Sequence, residues 1–416
     1  MDCSSPLFKQ IQSQHQEMAE LLIHWVNINS ATRNRPGLER MLEALKKAFS
    51  PLGGVMQEIS LPPESRINEQ GDLVQEPLGK ALFVKKHPHA PIQIFLGGHM
   101  DTVYPSDHPF QKAEYLDPNT LRGPGAADMK GGLIILLYTL KALEDSPLAG
   151  KIGWEVLINP DEEIGSPGST DLFKERAAFN QLALLFEPSF SDGAIVSSRK
   201  GSANFTVVSR GKTAHSGRDF HSGRNAITAL ARFLIKAEAH TNKERETTVN
   251  IGLIKGGHAA NIVPDLAIAT IDVRVKTHED LQEIKKHLSN DIQEANQQEG
   301  IFLTLHQITE REPKAFDRKN EALFDALNAS AIDCGYTLQT RPSGGVCDGN
   351  ILSSAGLPTI DTLGGIGGNI HTSDEYVHLN SLVDRVQLLS HFLIQNVERQ
   401  IVARFFQMFG FHRRKC

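Results

Sequence analysis

The sequence predicts an α/β protein: a mainly parallel sheet flanked by helices, with a smaller α+β domain inserted into the chain. Three observations lead to this prediction. Short apolar segments alternate with helical segments in the first and last parts of the chain, as they do in layered α/β folds. From about residue 200 to residue 312 the segments instead alternate in polarity, like half-exposed strands. The length of 416 residues exceeds what a single hydrophobic core usually holds.

The first part of the chain supplies most of the predicted sheet. Helical periodicity predicts helices at 16–26, 38–49 and 131–143. Three apolar segments, short enough to be buried strands, lie at 92–96, 154–158 and 182–186. The third helix is apolar on most sides, so we expect it to be buried.

The inserted segment has a different pattern. It predicts a strand, a helix, a second strand and a second helix, at 203–209, 225–239, 266–275 and 279–298. The α/β pattern then resumes with a helix, a glycine-rich stretch, a strand and a last helix, at 320–333, 343–350, 358–362 and 382 to about 398. Residues 1–199 and 313–416 are therefore predicted to form one domain, and residues 200–312 the other.

Composition narrows the class of partner. The net charge of −6 argues against nucleic acid or an anionic membrane surface as the main partner. No apolar segment approaches the ~20 residues that a membrane-spanning helix needs, so we expect no stable membrane association. The tail from Arg404 combines phenylalanines with basic residues. We expect a docked or frayed helix there, with a membrane-surface or partner contact as the alternative.

Cysteine usage and the N-terminus bear on the compartment. Cys3, Cys334, Cys347 and Cys416 form neither a C-x-x-C pair nor a disulfide-like spacing, which favours a reducing compartment. The N-terminus lacks the basic segment and apolar segment of a secretory signal. We therefore expect a cytoplasmic protein.

Polar side chains stand where the predicted strands end. Ligand sites in open parallel sheets form at the carboxyl ends of the strands. The candidates at such positions are His99, Asp101, Asp128, Asp161, Glu162, Glu163, Glu187 and His371. Each of them alone is explained as well by a loop histidine, a solvated acidic turn or a turn cap. Their coincidence at one kind of topological position favours a shared site.

The residue types suit a dinuclear zinc site. Imidazole nitrogens and carboxylate oxygens are zinc ligands, and one shared carboxylate can bridge two ions. A carboxylate left over can act as a base toward water. Asp101, two residues beyond His99, is well placed to orient that imidazole.

At these residues the sequence resembles the zinc aminoacylase and carboxypeptidase G family of metallopeptidases, family M20, which includes acetylornithine deacetylase and succinyl-diaminopimelate desuccinylase. The resemblance covers most of the chain, and its motifs occur in the family's order. The matching motifs are GGHMDTVYP (97–105), RGPGAADMKGG (122–132), NPDEEIGSPGS (159–169), FEPS (186–189), GKTAHSG (211–217) and GGNIHTSDEYV (367–377).

The resemblance implies a fold and a ligand set. Residues 1–199 and 313–416 would form a zinc-exopeptidase-like catalytic domain, and residues 200–312 a lid that also carries the dimer contact. Two Zn²⁺ ions are implied, with Co²⁺ or Mn²⁺ able to substitute. The implied roles are His99 and Glu187 on one ion, Glu163 and His371 on the other, Asp128 bridging both, Glu162 as general base, and Asp101 supporting His99. The peptide bond after Asp128 is expected to be cis.

The resemblance also implies residues that meet the substrate. His215 of the lid would reach across a homodimer into the partner's site and stabilise the oxyanion. Asn261, Arg274 and the glycine-rich stretch with Gly344 and Gly345 resemble positions that face the substrate carboxylate. Arg274 is explained equally well as a salt-bridged strand residue.

The implied activity is hydrolysis of an amide bond next to a free carboxylate, in a small peptide or an N-acyl amino acid. We favour a carboxypeptidase of the glutamate-releasing kind. The alternative is an N-acyl-amino-acid deacylase similar to acetylornithine deacetylase, because both activities release an amino acid from an amide. Cys347 stands where the family usually has threonine, which leaves the acyl or side-chain specificity open. A non-catalytic binding protein on the same fold is a remote alternative, since no ligand position and no base is missing.

Overall fold

The computed structural model describes residues 6–399, with side chains described through residue 395. Cys3, Cys416 and the aromatic-basic tail from Arg404 lie outside the described residues. The helices are α1 (Pro6–Ser13), α2 (His15–Val26), α3 (Arg35–Phe49), α4 (Gly131–Glu144), α5 (Thr170–Ala177), α6 (Ala226–Glu238), α7 (His278–Ala295), α8 (Arg318–Asp333), α9 (Asp348–Ser354) and α10 (Leu379–Arg399). The strands are β1 (Val55–Ser60), β2 (Glu64–Ile67), β3 (Leu73–Glu76), β4 (Lys80–Lys86), β5 (Ile92–His99), β6 (Glu114–Asp117), β7 (Thr120–Arg122), β8 (Ile152–Asn159), β9 (Leu182–Leu185), β10 (Ile195–Arg199), β11 (Gly201–Arg210), β12 (Ala214–His215), β13 (Thr248–Gly256), β14 (Ile262–Val263), β15 (Leu266–Val275), β16 (Phe302–Arg311), β17 (Thr340–Ser343), β18 (Thr359–Ile360), β19 (Gly367–Gly368) and β20 (Tyr376–His378).

The largest sheet has six strands in the order β1-β4-β8-β5-β9-β18. Five of them run in one direction, and β4 alone runs opposite, antiparallel to both β1 and β8. The strands β8, β5 and β9 are parallel neighbours, so their carboxyl ends lie side by side at the same end of the sheet. The predicted mainly parallel α/β fold is confirmed.

Helices cover both faces of this sheet, because successive side chains of its central strands point to opposite sides. In β5, Ile94 and Leu96 join a large apolar core with α2, α3, α4 and α10. Phe95, between them, joins a smaller core on the other face with Phe173 of α5 and Leu352 of α9. Every residue of β5 and β8 is buried, as both-face coverage requires.

A second sheet has four antiparallel strands in the order β13-β15-β11-β16. One of its faces packs against α6 and α7 and forms a separate apolar core that includes Phe205, Phe233 and Ile271. The alternating burial along β15 is the pattern of a sheet with one covered face. We propose that this unit is the lid domain expected from the sequence.

Within the six-stranded sheet and the β13-β15-β11-β16 sheet, four strands lie outside the sequence-based expectation: β1, β4, β13 and β16. β1 and β13 are mostly exposed and mixed in polarity, so they carry no apolar segment. β4 is buried, but its four apolar residues stand between lysines. Among residues 6–399, none of the helices combines the length and apolar character that crossing a membrane requires.

Candidate metal centre

The candidate site lies at the carboxyl ends of β8, β5 and β9. His99 is the last residue of β5, and Glu187 follows β9 by two residues. Glu162 and Glu163 lie in the short helical turn that comes after β8. Three neighbouring parallel strands therefore deliver one imidazole and three carboxylates to the same edge, as the sequence predicts.

Asp128 occupies the centre of the group, and its two carboxylate oxygens face two different histidines. Oδ1 lies 3.1 Å from His99 Nε2, and Oδ2 lies 3.3 Å from His371 Nε2. On the first side, His99 Nε2 is 3.8 Å from a Glu187 oxygen. On the second side, His371 Nε2 is 3.3 Å from a Glu163 oxygen. The five predicted ligands thus form two donor sets that share Asp128.

These spacings fit first-row metal ions. Bonds of about 2.1 Å in a tetrahedral site place neighbouring donors roughly 3.4 Å apart. The donor atoms of His99, Asp128 and Glu163 also lie within 4.8 Å of one another. The donors are imidazole nitrogens and carboxylate oxygens, which zinc accepts.

The negative charge of these clustered side chains also favours the binding of cations. Asp128, Glu162, Glu163 and Glu187 place four carboxylates in one nearly buried cluster. Burial, reinforced by the nearby Asp128 charge, raises the pKa of Glu163 to about 8. The carboxylates Asp128 and Glu163 raise the pKa of His371 to about 10. Two dications would neutralise the negative charge that these four carboxylates concentrate in a buried site.

Asp101 connects the histidine to the glutamate pair. His99 Nδ1 lies 3.0 Å from the backbone oxygen of Asp101 and 3.4 Å from its carboxylate. The two carboxylate oxygens accept hydrogen bonds from the backbone N–H groups of Glu162 and Glu163, each at 3.2 Å. Thr32 donates a further hydrogen bond at 2.7 Å. Asp101 therefore orients both His99 and the turn that carries the two glutamates.

Glu375 holds the segment around Asp128, a role that sequence reasoning missed. Its buried carboxylate accepts hydrogen bonds from the backbone N–H groups of Gly125, Ala127 and Asp128, at 2.9–3.2 Å. Tyr104 donates its hydroxyl to the same carboxylate at 2.7 Å. The acidic residue at the end of the HTSDE motif was the available signal. The peptide bond between Asp128 and Met129 is cis, which confirms the expectation from the family.

Arg311, at the end of β16, was also missed. One guanidinium nitrogen lies 2.9 Å from the Glu162 carboxylate, and another lies 2.9 Å from the carboxylate of Asp348. Ser166 accepts a hydrogen bond from the same guanidinium at 2.8 Å. The last strand of the second sheet thus supplies a buried positive charge to the residue predicted as general base.

A pocket of about 420 Å³ opens beside the donor cluster. Its lining includes the acidic cluster, His371, Gly345 and Cys347, with Arg199 at its wall. Arg199 forms two hydrogen bonds to Asp361, and Lys314 lies 3.0 Å from the same carboxylate. Burial opposes ionisation of Asp361, but these two cations hold its pKa at about 2. The cluster keeps one positive charge in excess beside the pocket.

The glycine-rich stretch borders the pocket. Gly345 accepts a hydrogen bond from Arg199 through its backbone oxygen, at 3.2 Å, while Gly344 lies next to it with open space around its Cα. Cys347 is buried and caps the first turn of α9 by accepting the backbone N–H of Gly349. Burial raises the pKa of its thiol well above the ordinary value.

The predicted lid residues lie apart from the donor cluster. His215 is exposed at the end of β12, and Asn261 is exposed just before β14, where its backbone oxygen accepts a hydrogen bond from the backbone N–H of Ser216. Arg274 forms a two-point ion pair with Asp272 on its own strand, at 2.8 and 2.9 Å. None of the three is among the described residues that line the 420 Å³ pocket. Their roles toward substrate stay predictions.

Comparisons with known proteins agree with this geometry. The sequence profile described as "Peptidase family M20/M25/M40" matches residues 95–395. Carboxypeptidase G2 of Pseudomonas sp. (strain RS-16) is 30% identical over 306 residues, which span 72% of this chain and 73% of that protein. Succinyl-diaminopimelate desuccinylase of Corynebacterium glutamicum is 27% identical over 314 residues, which span 72% and 80%.

Solved structures share the fold over nearly the whole chain. A tripeptidase of Staphylococcus aureus superposes with a TM-score of 0.69 at 25% identity, covering 93% of this chain and 99% of that one. An M20 family metallo-carboxypeptidase of Sulfolobus solfataricus superposes with a TM-score of 0.69 at 18% identity, covering 91% and 98%.

Proposed function

This chain belongs to peptidase family M20/M25/M40 and is a hydrolase that acts on amide bonds, and on that premise we propose that it is a dinuclear zinc carboxypeptidase. It would release a C-terminal amino acid from a small peptide or an acyl amino acid. The observation that carries the proposal is the position of Asp128, whose two carboxylate oxygens face His99 and His371. Such an arrangement suits a carboxylate that bridges two ions.

The proposed ligand sets follow from the contacts. His99 and Glu187 would hold one ion, Glu163 and His371 the other, and Asp128 both. Bound zinc would act as a Lewis acid toward the amide and lower the pKa of a coordinated water. Co²⁺ and Mn²⁺ accept the same ligand types, so either is expected to substitute.

The chain's own residues would move the proton. Glu162 lines the pocket beside the ligands without belonging to either donor set. We assign it as the general base that takes a proton from the attacking water and returns it to the leaving nitrogen. Asp101 fixes the backbone of Glu162, and Arg311 fixes its carboxylate. His215, supplied by a partner subunit, would donate a hydrogen bond to the developing oxyanion.

A carboxylate-bearing substrate is supported by the charge beside the pocket. Arg199 and Lys314 bring two positive charges to the single carboxylate of Asp361. The excess positive charge favours a substrate whose free carboxylate enters this end of the pocket. Asn261 and Arg274 would add contacts from the lid, since an arginine can grip a carboxylate with two hydrogen bonds.

A homodimer through the lid is supported by the edge strand β13. It forms one border of the four-stranded sheet, so one row of its backbone groups has no strand partner there. Leu253 and Ile254 on this strand are more than half exposed. An unpaired edge strand that exposes two apolar side chains is suited to pairing with a second copy of the same strand.

A substrate panel tests the proposal and separates it from the second candidate, an N-acyl-amino-acid deacylase, which the likeness to the desuccinylase favours. Purified protein supplied with Zn²⁺ would be assayed on dipeptides, on aroyl- and acyl-glutamates, and on N-acetyl and N-succinyl amino acids. A carboxypeptidase turns over dipeptides or aroyl-glutamates fastest, whereas a deacylase prefers the small acyl groups. The C-terminal amides of the best substrates serve as controls, because they lack the free carboxylate. Turnover of none of these compounds would refute the proposed activity.

A further inference from the structure

A second cavity, of about 360 Å³, lies away from the metal ligands. Its lining includes Gly193, Ala194, Leu338, Ile366 and Arg385. Tyr336, Thr337 and Asp384 are exposed and stand at its opening. The volume is in the range of sites that hold small molecules.

Arg385 is the unusual member of this lining. It is 4% exposed, and its Nη2 donates one hydrogen bond, at 2.7 Å, to the backbone oxygen of Gly193. Among the described residues, no carboxylate oxygen lies within 4 Å of the Arg385 guanidinium, the distance that defines an ion pair. Arg199 and Arg311 are equally buried, but each contacts a carboxylate at 2.8–2.9 Å. Burial lowers the pKa of Arg385, and the nearby Tyr336 and Asp384 oppose this only in part, whereas carboxylates in contact raise the pKa of the other two arginines despite their burial.

A buried charge of this kind is costly unless an anion accompanies it. The Arg385 guanidinium has five N–H donors, and one is used on Gly193. A carboxylate is the planar partner that a guanidinium binds with two parallel hydrogen bonds. The cavity supplies space for such a partner directly against the side chain.

The rest of the lining indicates what the carboxylate is attached to. Ala194, Leu338 and Ile366 give the floor an apolar surface. Asp384, at the opening, offers a carboxylate for a positive group, while the nearby Asp192 already pairs with Arg341. We propose that this cavity is a binding site for a free α-amino acid with an apolar side chain, held by its carboxylate on Arg385 and its ammonium group on Asp384.

The cavity shares a wall with the metal-site pocket. Gly193 and Ala194 close a turn whose first residue, Phe190, lines that pocket. Ile366 pairs with Ser189, which also lines it. An amino acid in the second cavity therefore contacts the reverse side of the loops that border the metal site, and the two sites are coupled to the extent that these loops move together.

Calorimetry on the full-length purified protein tests the assignment. The probes are L-leucine, L-leucinamide, which lacks the carboxylate, and 4-methylpentanoate, which lacks the ammonium group. L-leucine is expected to bind, and each of the other two is expected to bind at least tenfold more weakly. Equal binding of L-leucinamide would overturn the role of Arg385.

Three variants locate the site. Arg385→Gln removes the charge, and Thr337→Trp fills the opening from an exposed position, so the second variant decides the test if the first fails to fold. Both are expected to weaken L-leucine binding at least tenfold. The charge-matched control Arg40→Gln, on the exposed face of α3, is expected to leave it within twofold. Binding that is absent from the wild type, or that survives Thr337→Trp, would overturn the proposal. Leucine that binds as a product in the metal-site pocket would still bind to Thr337→Trp, so this variant distinguishes the two sites.

Discussion

Arg311 and Glu162 form a buried ion pair, with 2.9 Å between guanidinium nitrogen and carboxylate oxygen, that joins the last strand of the second sheet to the proposed general base. The same guanidinium also neutralises Asp348. Arg311→Met leaves two buried carboxylates without their cation, and we expect it to lower the free energy of unfolding by roughly 3–5 kcal/mol. Urea denaturation measures this loss.

The matched control is Arg274→Met, which also removes an arginine from an ion pair on this sheet. Arg274 is about a third exposed, so its loss is expected to cost less than about 1 kcal/mol. Equal costs for the two variants would contradict the structural role assigned to Arg311.

Metal removal gives the second prediction. The purified protein is expected to contain about two zinc ions per chain and to lose its hydrolytic activity when a chelator removes them. Restoration by Zn²⁺, Co²⁺ or Mn²⁺ is expected because all three accept the same ligands. Elemental analysis together with activity measures both quantities. Full activity in a preparation without metal would exclude the proposed centre.

The third prediction separates the base from the ligand beside it. Glu162→Gln is expected to keep both metals and to lose turnover by several orders of magnitude, because the amide cannot accept a proton from water. Glu163→Gln is expected to weaken metal binding instead, since Glu163 lies 3.3 Å from His371 in a donor set. Metal content and kcat are measured for each variant. A Glu162→Gln variant with near-normal turnover would remove that residue from the role of base.

The fourth prediction is a pH dependence centred on Asp361. Its pKa is about 2 in the folded protein and close to 3.8 in the unfolded chain, so the carboxylate contributes stability that is present above about pH 4. That contribution, about 2 kcal/mol, is lost as the pH falls from about 4 toward 2. The difference in free energy of unfolding between the wild type and Asp361→Asn is therefore expected to be constant from pH 7 to 5 and to decrease below pH 4. Thermal or urea unfolding at each pH measures it, and a difference that does not change would refute this account.

The fifth prediction concerns assembly. Ile254→Asp places a charge on the exposed edge strand β13 and is expected to convert a dimer into monomers. Turnover is expected to fall with it, because His215 would no longer reach the partner's site. Phe302→Asp is the control, since Phe302 is 67% exposed on β16, at the opposite edge of the same sheet. Sedimentation velocity distinguishes the species. A monomeric wild type, or a dimer that tolerates Ile254→Asp and not Phe302→Asp, would place the contact elsewhere.

Much of the fold could be predicted because its signals are local. The buried strands 92–99 and 152–159 carry largely apolar segments and end in polar residues, and the helix 131–144 is apolar on most sides. The family predicted from the motifs is confirmed, as is the class of enzyme. The grouping of His99, Asp128 and His371 follows from topology together with those motifs, and the contacts show them adjacent.

The rest depends on contacts between distant parts of the chain. Arg311 reaches Glu162 across 149 residues, and no periodicity in β16 marks Arg311 as different from the other polar residues on that strand. Arg199 and Asp361 meet across 162 residues, and each alone looks like an ordinary charged residue at a strand end. Such pairs become visible only when the sheets are assembled.

The bond between Glu375 and the backbone of Asp128 spans 247 residues, and it has a consequence for biosynthesis. A chain still emerging from the ribosome has made Asp128 long before it makes His371 and Glu375. Until those residues emerge, the amides of Gly125, Ala127 and Asp128 lack the Glu375 carboxylate that accepts their hydrogen bonds, and one of the two proposed ligand groups lacks its histidine. Acquisition of the second proposed ion would therefore follow translation of nearly the whole chain, and a product truncated before residue 371 would lack the histidine proposed to hold that ion.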